Sequence, residues 1–253
     1  FDSMVFVTRR GNREGVLQCW EYGYGVGKGG GLYKVSGLKS GKPVIKDMLS
    51  DAVVPGGRLK GKKLTGGAFN MPALSYDGKT VAFSFVENCG MRINWPRDVF
   101  EAFTNETCFH LFKVGADGSN LVQLTDGRRN DYHPAFLPNG RIVFVSDRRN
   151  IMDRCQTGRA FGEFSQPCGT MHSIKSDGSD LIQISYHETT ELFPAVDNNG
   201  MLVYTRWDYV DRDFSAAHNF WICYPDGRDP RAPHGNYAYP HHTLDGKKWK
   251  DGR

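Results

Sequence analysis

DYHPAFLPNGRIVFVSD (131–147) has two echoes in the same chain, FNMPALSYDGKTVAFSF (69–85) and ELFPAVDNNGMLVYTRW (191–207). Each copy carries a proline (Pro72, Pro134, Pro194), a small and an apolar residue, a turn closed by glycine (Gly78, Gly140, Gly200), and an apolar run. The runs TVAFSFV, RIVFVSD and MLVYTRW are rich in β-branched and aromatic residues and are bounded by turn residues, which is how strands read. A second phrase follows each after an intervening insertion: CFHLFKVGADGSNLVQLTDG (108–127), TMHSIKSDGSDLIQISYHE (170–188) and FWICYPDGRDPRAPHGN (220–236). There a strand enters Asp-Gly, which takes the positive φ of a tight hairpin turn at low cost.

One copy is therefore four short antiparallel strands, A to D. A lone sheet of that length leaves both faces wet, whereas radial stacking lets each sheet cover its neighbour, so the repeat predicts an all-β β-propeller of four-stranded antiparallel blades. The first 48 residues fit the template without strand A: MVFVTRR as B, GLYKVSG as C, KPVIKDM as D. The blades run over 1–55, 66–127, 128–189 and 190–235, about three and three-quarter in all, and 236–253 reads as an exit segment or linker to a further domain. The chain opens at Phe1 inside a strand-like run, and we expect it to be a segment of a larger or processed protein.

The A–B and C–D turns are short, while the B–C connections (10–30, 88–107, 149–169, 208–219) are long. In a propeller the B–C and D–A connections open on one face, so the elaboration gathers where binding and catalysis usually sit. Cys89 and Cys108 bracket one insertion, and Cys155 and Cys168 the next. This placement predicts disulfides Cys89–Cys108 and Cys155–Cys168, and with them an oxidising, extracytoplasmic compartment. Cys223 lies in strand C of the last blade beside Trp221 and Tyr224. It is either a small core hydrophobe or a thiolate ligand for zinc.

The last insertion, RWDYVDRDFSAAHNFW (206–221), packs Arg206, Asp208, Tyr209, Asp211, Arg212 and His218 closely together. Arginine can hold an anion bidentately, carboxylates and histidine can move protons or bind metal, and tyrosine can donate or ligate. Asp131, Tyr132 and His133, and His187, Glu188 and Glu191, feed the same face from the D–A connections. The alternative is a lattice of ion pairs that fixes long loops. A net charge of +4 with scattered basic residues argues against a nucleic-acid partner, and no run approaches the ~20 apolar residues of a membrane span.

PALSYDGKTVAFS and AFLPNGRIVFVSDRR resemble the repeat of TolB-type periplasmic propellers. From YHPAFLPNGRIVFVSDRR through YTRWDYVDRD, HN-x-W and PDG-x-DPRA-x-HGN, about a hundred residues resemble the propeller of hydrazine synthase alpha subunits and their relatives. That resemblance implies a multihaem oxidoreductase of anaerobic ammonium oxidation that joins nitric oxide and ammonium into hydrazine. It implies zinc near an active-site haem, with Cys223 as candidate ligand and Arg206–Arg212 and His218 lining the pocket. It further implies a haem-bearing domain of the same protein and other subunits as partners, in a periplasm-like space or the anammoxosome lumen. The segment contains no C-x-x-C-H, so c-type haem is expected in an adjoining domain and not within it. Two other classes stay open: a carbohydrate-active propeller of the polysaccharide-lyase type, and a non-catalytic extracytoplasmic interaction scaffold.

Overall fold

A computed structural model of the chain describes residues 1–10, 27–89, 99–157, 165–207 and 218–233. Four antiparallel sheets follow one another along the chain. The first holds β1 (Ser3–Arg10), β2 (Gly27–Ser36) and β3 (Val44–Asp47), and the second β4 (Ala68–Leu74), β5 (Thr80–Val86), β6 (His110–Gly115) and β7 (Val122–Gln123). The third holds β8 (Asp131–Phe136), β9 (Ile142–Ser146), β12 (Thr170–Ile174) and β13 (Ile182–Gln183). The fourth holds β14 (Glu191–Val196), β15 (Leu202–Trp207) and β16 (His218–Cys223), with an isolated bridge between Ile222 and Arg231 where a fourth strand would lie. A two-stranded ribbon, β10 (Met152–Thr157) with β11 (Ser165–Pro167), and a single-turn helix α1 (Val99–Ala102) belong to the B–C insertions.

The sheets stack as blades because strand side chains alternate between faces. Val81 and Phe83 of β5 pack back onto Leu32 and Met48 of the first sheet, while Ala82 packs forward with Ile142 and Phe144 of β9. Between them, Val143 of β9 turns the other way, onto Leu202, Tyr204 and Cys223 of the last sheet. Three separate apolar layers thus lie between four sheets, and a two-layer sandwich would have produced one. The inner strands β4, β8 and β14 run side by side.

Turn chemistry sets the blade spacing. In each C–D turn the Asp-Gly glycine has positive φ: Gly118 (96°), Gly178 (89°) and Gly227 (85°). A Cβ there would meet a backbone carbonyl of the preceding blade's outer edge, Met48 O at 2.6 Å, Leu124 O at 3.2 Å and Ile184 O at 1.7 Å respectively. Two residues later Asn120, Asp180 and Asp229 also take positive φ, which Asn and Asp tolerate better than other residues. Strand A carries a feature that the repeat did not announce. The residue before each proline, Met71, His133 or Phe193, has positive φ at a register shift in the ladder. Each inner strand therefore bulges at the same place, and His133 stacks on Phe193 of the next blade with ring centroids 4.3 Å apart.

Candidate functional site

The expectation that the long connections share one rim can be followed through the polar contacts. Arg58, on the connection between the first two blades, donates from Nε to Asp126 Oδ1 (2.9 Å), from Nη2 to Asn105 O (3.2 Å), and also to Glu87. Arg128, on the next D–A connection, reaches Phe103 O (2.7 Å) and Glu101 O (3.0 Å) in the insertion of the second blade. Arg129 lies over the Phe100 ring at 4.7 Å. One blade on, Arg149 donates to Tyr186 O (2.6 Å) and to His187 O. Asp153 of the ribbon accepts from Thr190 N (2.9 Å) and Thr190 Oγ1 (2.6 Å). Arginines and carboxylates therefore tie the B–C insertions of the second and third blades to D–A connections along one edge of the stack.

A single cross-strand slot near this rim is filled differently in successive blades. In the second blade it holds Phe69 opposite Phe85, with ring centroids 4.9 Å apart. In the third it holds Asp131 opposite Ser146, whose hydroxyl donates to Asp131 Oδ1 at 2.7 Å; Arg148 Nε adds a second bond at 2.8 Å. In the fourth it holds Glu191 opposite Arg206. The site grows more ionic along the chain as the scaffold repeats.

Arg206 is the one member of the predicted cluster whose side chain lies within the described residues, and it is buried. Its Nη2 donates to Glu191 Oε1 (3.2 Å) and Tyr204 Oη (3.0 Å), and its guanidinium carbon sits 3.7 Å from the centre of the Trp221 ring. Glu191 Oε2 accepts from Met171 N (3.2 Å) and from the Ser185 hydroxyl. Burial nevertheless pushes the Glu191 carboxyl above its usual range, outrunning these bonds. So placed, Arg206 is a strut between strands, the ion-pair lattice of the two alternatives raised by the sequence. Asp208, Tyr209, Asp211 and Arg212 lie outside the described residues; His218 begins β16 opposite Trp207, but its side chain is likewise outside them.

Three further groups stand out electrostatically. Asp147 is fully buried and its carboxyl is pushed up to about 7 by desolvation, against bonds from Asn130 N (2.8 Å) and Asn130 Nδ2 (2.9 Å). Asn130 Oδ1 in turn accepts from Phe109 N at 3.0 Å, so this buried amide joins the second blade to the third. Burial also lowers the pKa of His110 and of His172 and favours their neutral forms. Sequence reasoning overlooked Asn130 and also Asp147, although Asp147 closes the repeated phrase; only their burial marks them.

The cysteines depart from expectation. Cys89 and Cys108 are free buried thiols. The ends of their loop are indeed joined, Asn88 N to Glu106 O at 2.8 Å. The side chains diverge, however: Cys89 packs with Ala68, Val86 and Phe109, and Cys108 with Phe103. Phe109, the residue after Cys108, packs on the Cys89 side while Cys108 packs on Phe103, so the two thiols sit in different apolar clusters and the expected bridge does not form. Cys168 is also a free thiol, with His187 O at 3.7 Å; the Cys155 side chain lies outside the described residues. Cys223 is wholly buried among Leu202, Tyr204 and Met171, and burial pushes its thiol up to about 12. Among the described residues no group of three His, Cys, Asp or Glu side chains could hold a metal ion. Cys223 thus packs in an apolar layer, the core position that the sequence also allowed. Among the described residues no helix is long and apolar enough to cross a membrane.

No protein-family model matches the chain. Dipeptidyl-peptidase 5 of Porphyromonas gingivalis is 36% identical over 81 residues, which is 32% of this chain and 10% of that protein. Among solved structures, hydrazine synthase of Kuenenia stuttgartiensis superposes with a TM-score of 0.62 at 15% identity, over 93% of this chain and 32% of that one. A TolB of Agrobacterium tumefaciens gives a TM-score of 0.48 at 14% identity, over 79% of this chain and 60% of that one. The chain thus spans a tenth of the curated relative and about a third of the hydrazine synthase chain. At this identity the likeness speaks for the fold alone. Stacking, turn chemistry and superposition agree that the chain is a β-propeller segment built of antiparallel four-stranded blades.

Proposed function

We propose that this chain is the propeller of a hydrazine-synthase-alpha-like, extracytoplasmic redox protein, and that its elaborated rim packs against and shields a haem-bearing domain. One observation supports this above others: the long connections are cross-braced along a single rim in a stack that superposes on hydrazine synthase over 93% of its length. Such a rim is a rigid wall that can exclude water from a neighbouring redox centre. In this reading the chain supplies no haem attachment and Cys223 supplies no zinc ligand. Haem chemistry belongs to the adjoining domain, and other subunits complete the assembly. Free thiols at Cys89, Cys108 and Cys168 withdraw the argument for an oxidising compartment from disulfides, so that placement rests on the resemblance.

A non-catalytic interaction scaffold is the second reading. It is favoured by Arg206, whose charge is used inside the fold and not presented to a substrate. A visible absorption spectrum and metal analysis of the native assembly separate the two. Soret and α bands of c-type haem co-purifying with this chain support the first reading. A full-length protein without haem, and without any haem-bearing partner, overturns it in favour of the second.

A further inference from the structure

On the opposite rim, at the second blade, an open groove of about 530 Å³ lies between the A–B turn and the C–D turn. Lys34, Lys79, Lys113, Thr80 and Asn120 line it. In the third blade the corresponding seam is filled. Arg141 spans the two turns, donating from Nε to Ser173 Oγ (2.8 Å), from Nη1 to Asp180 Oδ2 (2.7 Å) and from Nη2 to Asp180 O (2.6 Å). The seam there is filled and its charges are paired.

The equivalences follow from the ladders. Thr80 closes its A–B turn with Ser75 as Arg141 does with Leu137. Gly115 and Lys175 each donate to the serine four residues on, which aligns Lys113 with Ser173 and Asn120 with Asp180. In the second blade the long Arg141 is thus replaced by the short Thr80, which opens the groove. Asp180 is replaced by neutral Asn120, which removes the counter-charge. Ser173 is replaced by Lys113, and the turn is one residue longer, which adds Lys79.

Three lysines line the groove against one carboxylate, Asp117, which accepts from Ser119 N (2.9 Å) and Ser119 Oγ (2.7 Å) within its own turn. Asp77 accepts from Ser75 Oγ (2.6 Å) and Lys79 N (3.0 Å), and feels the Lys79 ammonium only as a minor influence. Lys34 donates to Ala116 O at 3.2 Å and Lys46 to Asp117 O at 3.3 Å, so two more ammonium groups stand beside the turn. Among the described residues neither Lys79 nor Lys113 has an ion-pair or hydrogen-bond partner for its ammonium.

We infer that this groove binds a compact, multiply charged oxyanion, held by Lys79 and Lys113 with the Thr80 hydroxyl and the Asn120 amide as neutral donors. Its volume lies in the range of small-molecule sites, and ammonium groups favour an anion as point charges. The inference is independent of the haem reading, since it concerns the other rim.

The test is calorimetric titration of the intact protein with pyrophosphate and, separately, citrate at low salt, which distinguishes a phosphate from a carboxylate ligand. Saturable binding of either is expected, weakening as salt is raised. Lys79→Ala with Lys113→Ala should weaken it by about tenfold or more, as loss of charged hydrogen bonds does. A second variant, Thr80→Arg/Lys113→Ser/Asn120→Asp, installs the third blade's filled seam and should abolish binding while leaving thermal stability unchanged or raised. No saturable binding to the wild type, or binding that both folded variants retain, overturns the inference.

Discussion

Replacing Arg206 by methionine keeps the unbranched stem of the side chain and removes its charged head, which makes it a sharp test of whether this residue is a strut or part of a reactive pocket. Glu191 is fully buried, and Arg206 is its cationic partner at 3.2 Å. Removing one member of a buried pair typically destabilises by about 3–5 kcal/mol, because the other charge is left uncompensated. Loss of the Arg206–Trp221 stacking adds to this in the same direction. The penalty must depend on pH. The Glu191 pKa is already raised in the folded state by burial, so the folded protein holds this proton more tightly than the unfolded chain. Stability from such a group is fully present below the unfolded carboxyl pKa and is lost as pH rises through the folded one. Without Arg206 the folded pKa rises further, so Arg206→Met should cost more near pH 8 than near pH 5. Denaturant unfolding at the two pH values measures this, and the Glu191→Gln/Arg206→Met double variant should recover most of the loss. The reasoning fails if Arg206→Met stays within about 0.5 kcal/mol of wild type, a change typical of uninvolved surface positions. It fails equally if the loss ignores pH.

Asp147 gives a second pH signature. Its carboxyl is pushed from 3.8 up to about 7, so wild-type stability should decline as pH rises across that window, and Asp147→Asn should flatten part of the decline in a pH series of unfolding midpoints. The full effect is on the order of 4 kcal/mol. Native-state alkylation at pH 7.5 should leave Cys89, Cys108, Cys168 and Cys223 unmodified, since all four are buried and their thiols are raised by desolvation; the same reagent should modify them after unfolding. Peptide mapping without reduction should find no Cys89–Cys108 link, and finding one would reverse the packing described for that loop.

What could be read beforehand were the features that repeat. The Pro-to-Gly phrase and the Asp-Gly turns recur because every blade needs the same inner strand and the same tight turn, so one sequence states them three times. The insertions do not repeat, and neither does what they bury. The Cys89–Cys108 expectation joined the correct loop ends, but sequence spacing says nothing about which apolar cluster each thiol packs into. Arg206 was picked out by its charged neighbours, yet what holds it is Glu191 of β14, Tyr204 of its own strand and the Trp221 ring of β16. The bulge at Met71, His133 and Phe193 left only a weak trace, the proline that follows each. The anion groove was legible only after the ladders fixed which residues correspond, because the extra turn residue Lys79 shifts the second blade's numbering against the third.

Radial stacking is the claim on which the rim, the groove and the proposed shielding all depend, and a pair of glycines tests it. Gly140 and Gly227 both have positive φ, 81° and 85°, but a Cβ on Gly140 meets nothing within 4 Å while one on Gly227 meets Ile184 O of the preceding blade at 1.7 Å. Alanine at Gly140 should therefore cost only the backbone strain, about 1–2 kcal/mol. Alanine at Gly227 should cost about 1–3 kcal/mol more, as overpacking does. The difference between their unfolding free energies is the measurement: a clear excess at Gly227 is the outcome stacked blades require, and equal losses at both positions would mean that the fourth sheet does not lie against the third.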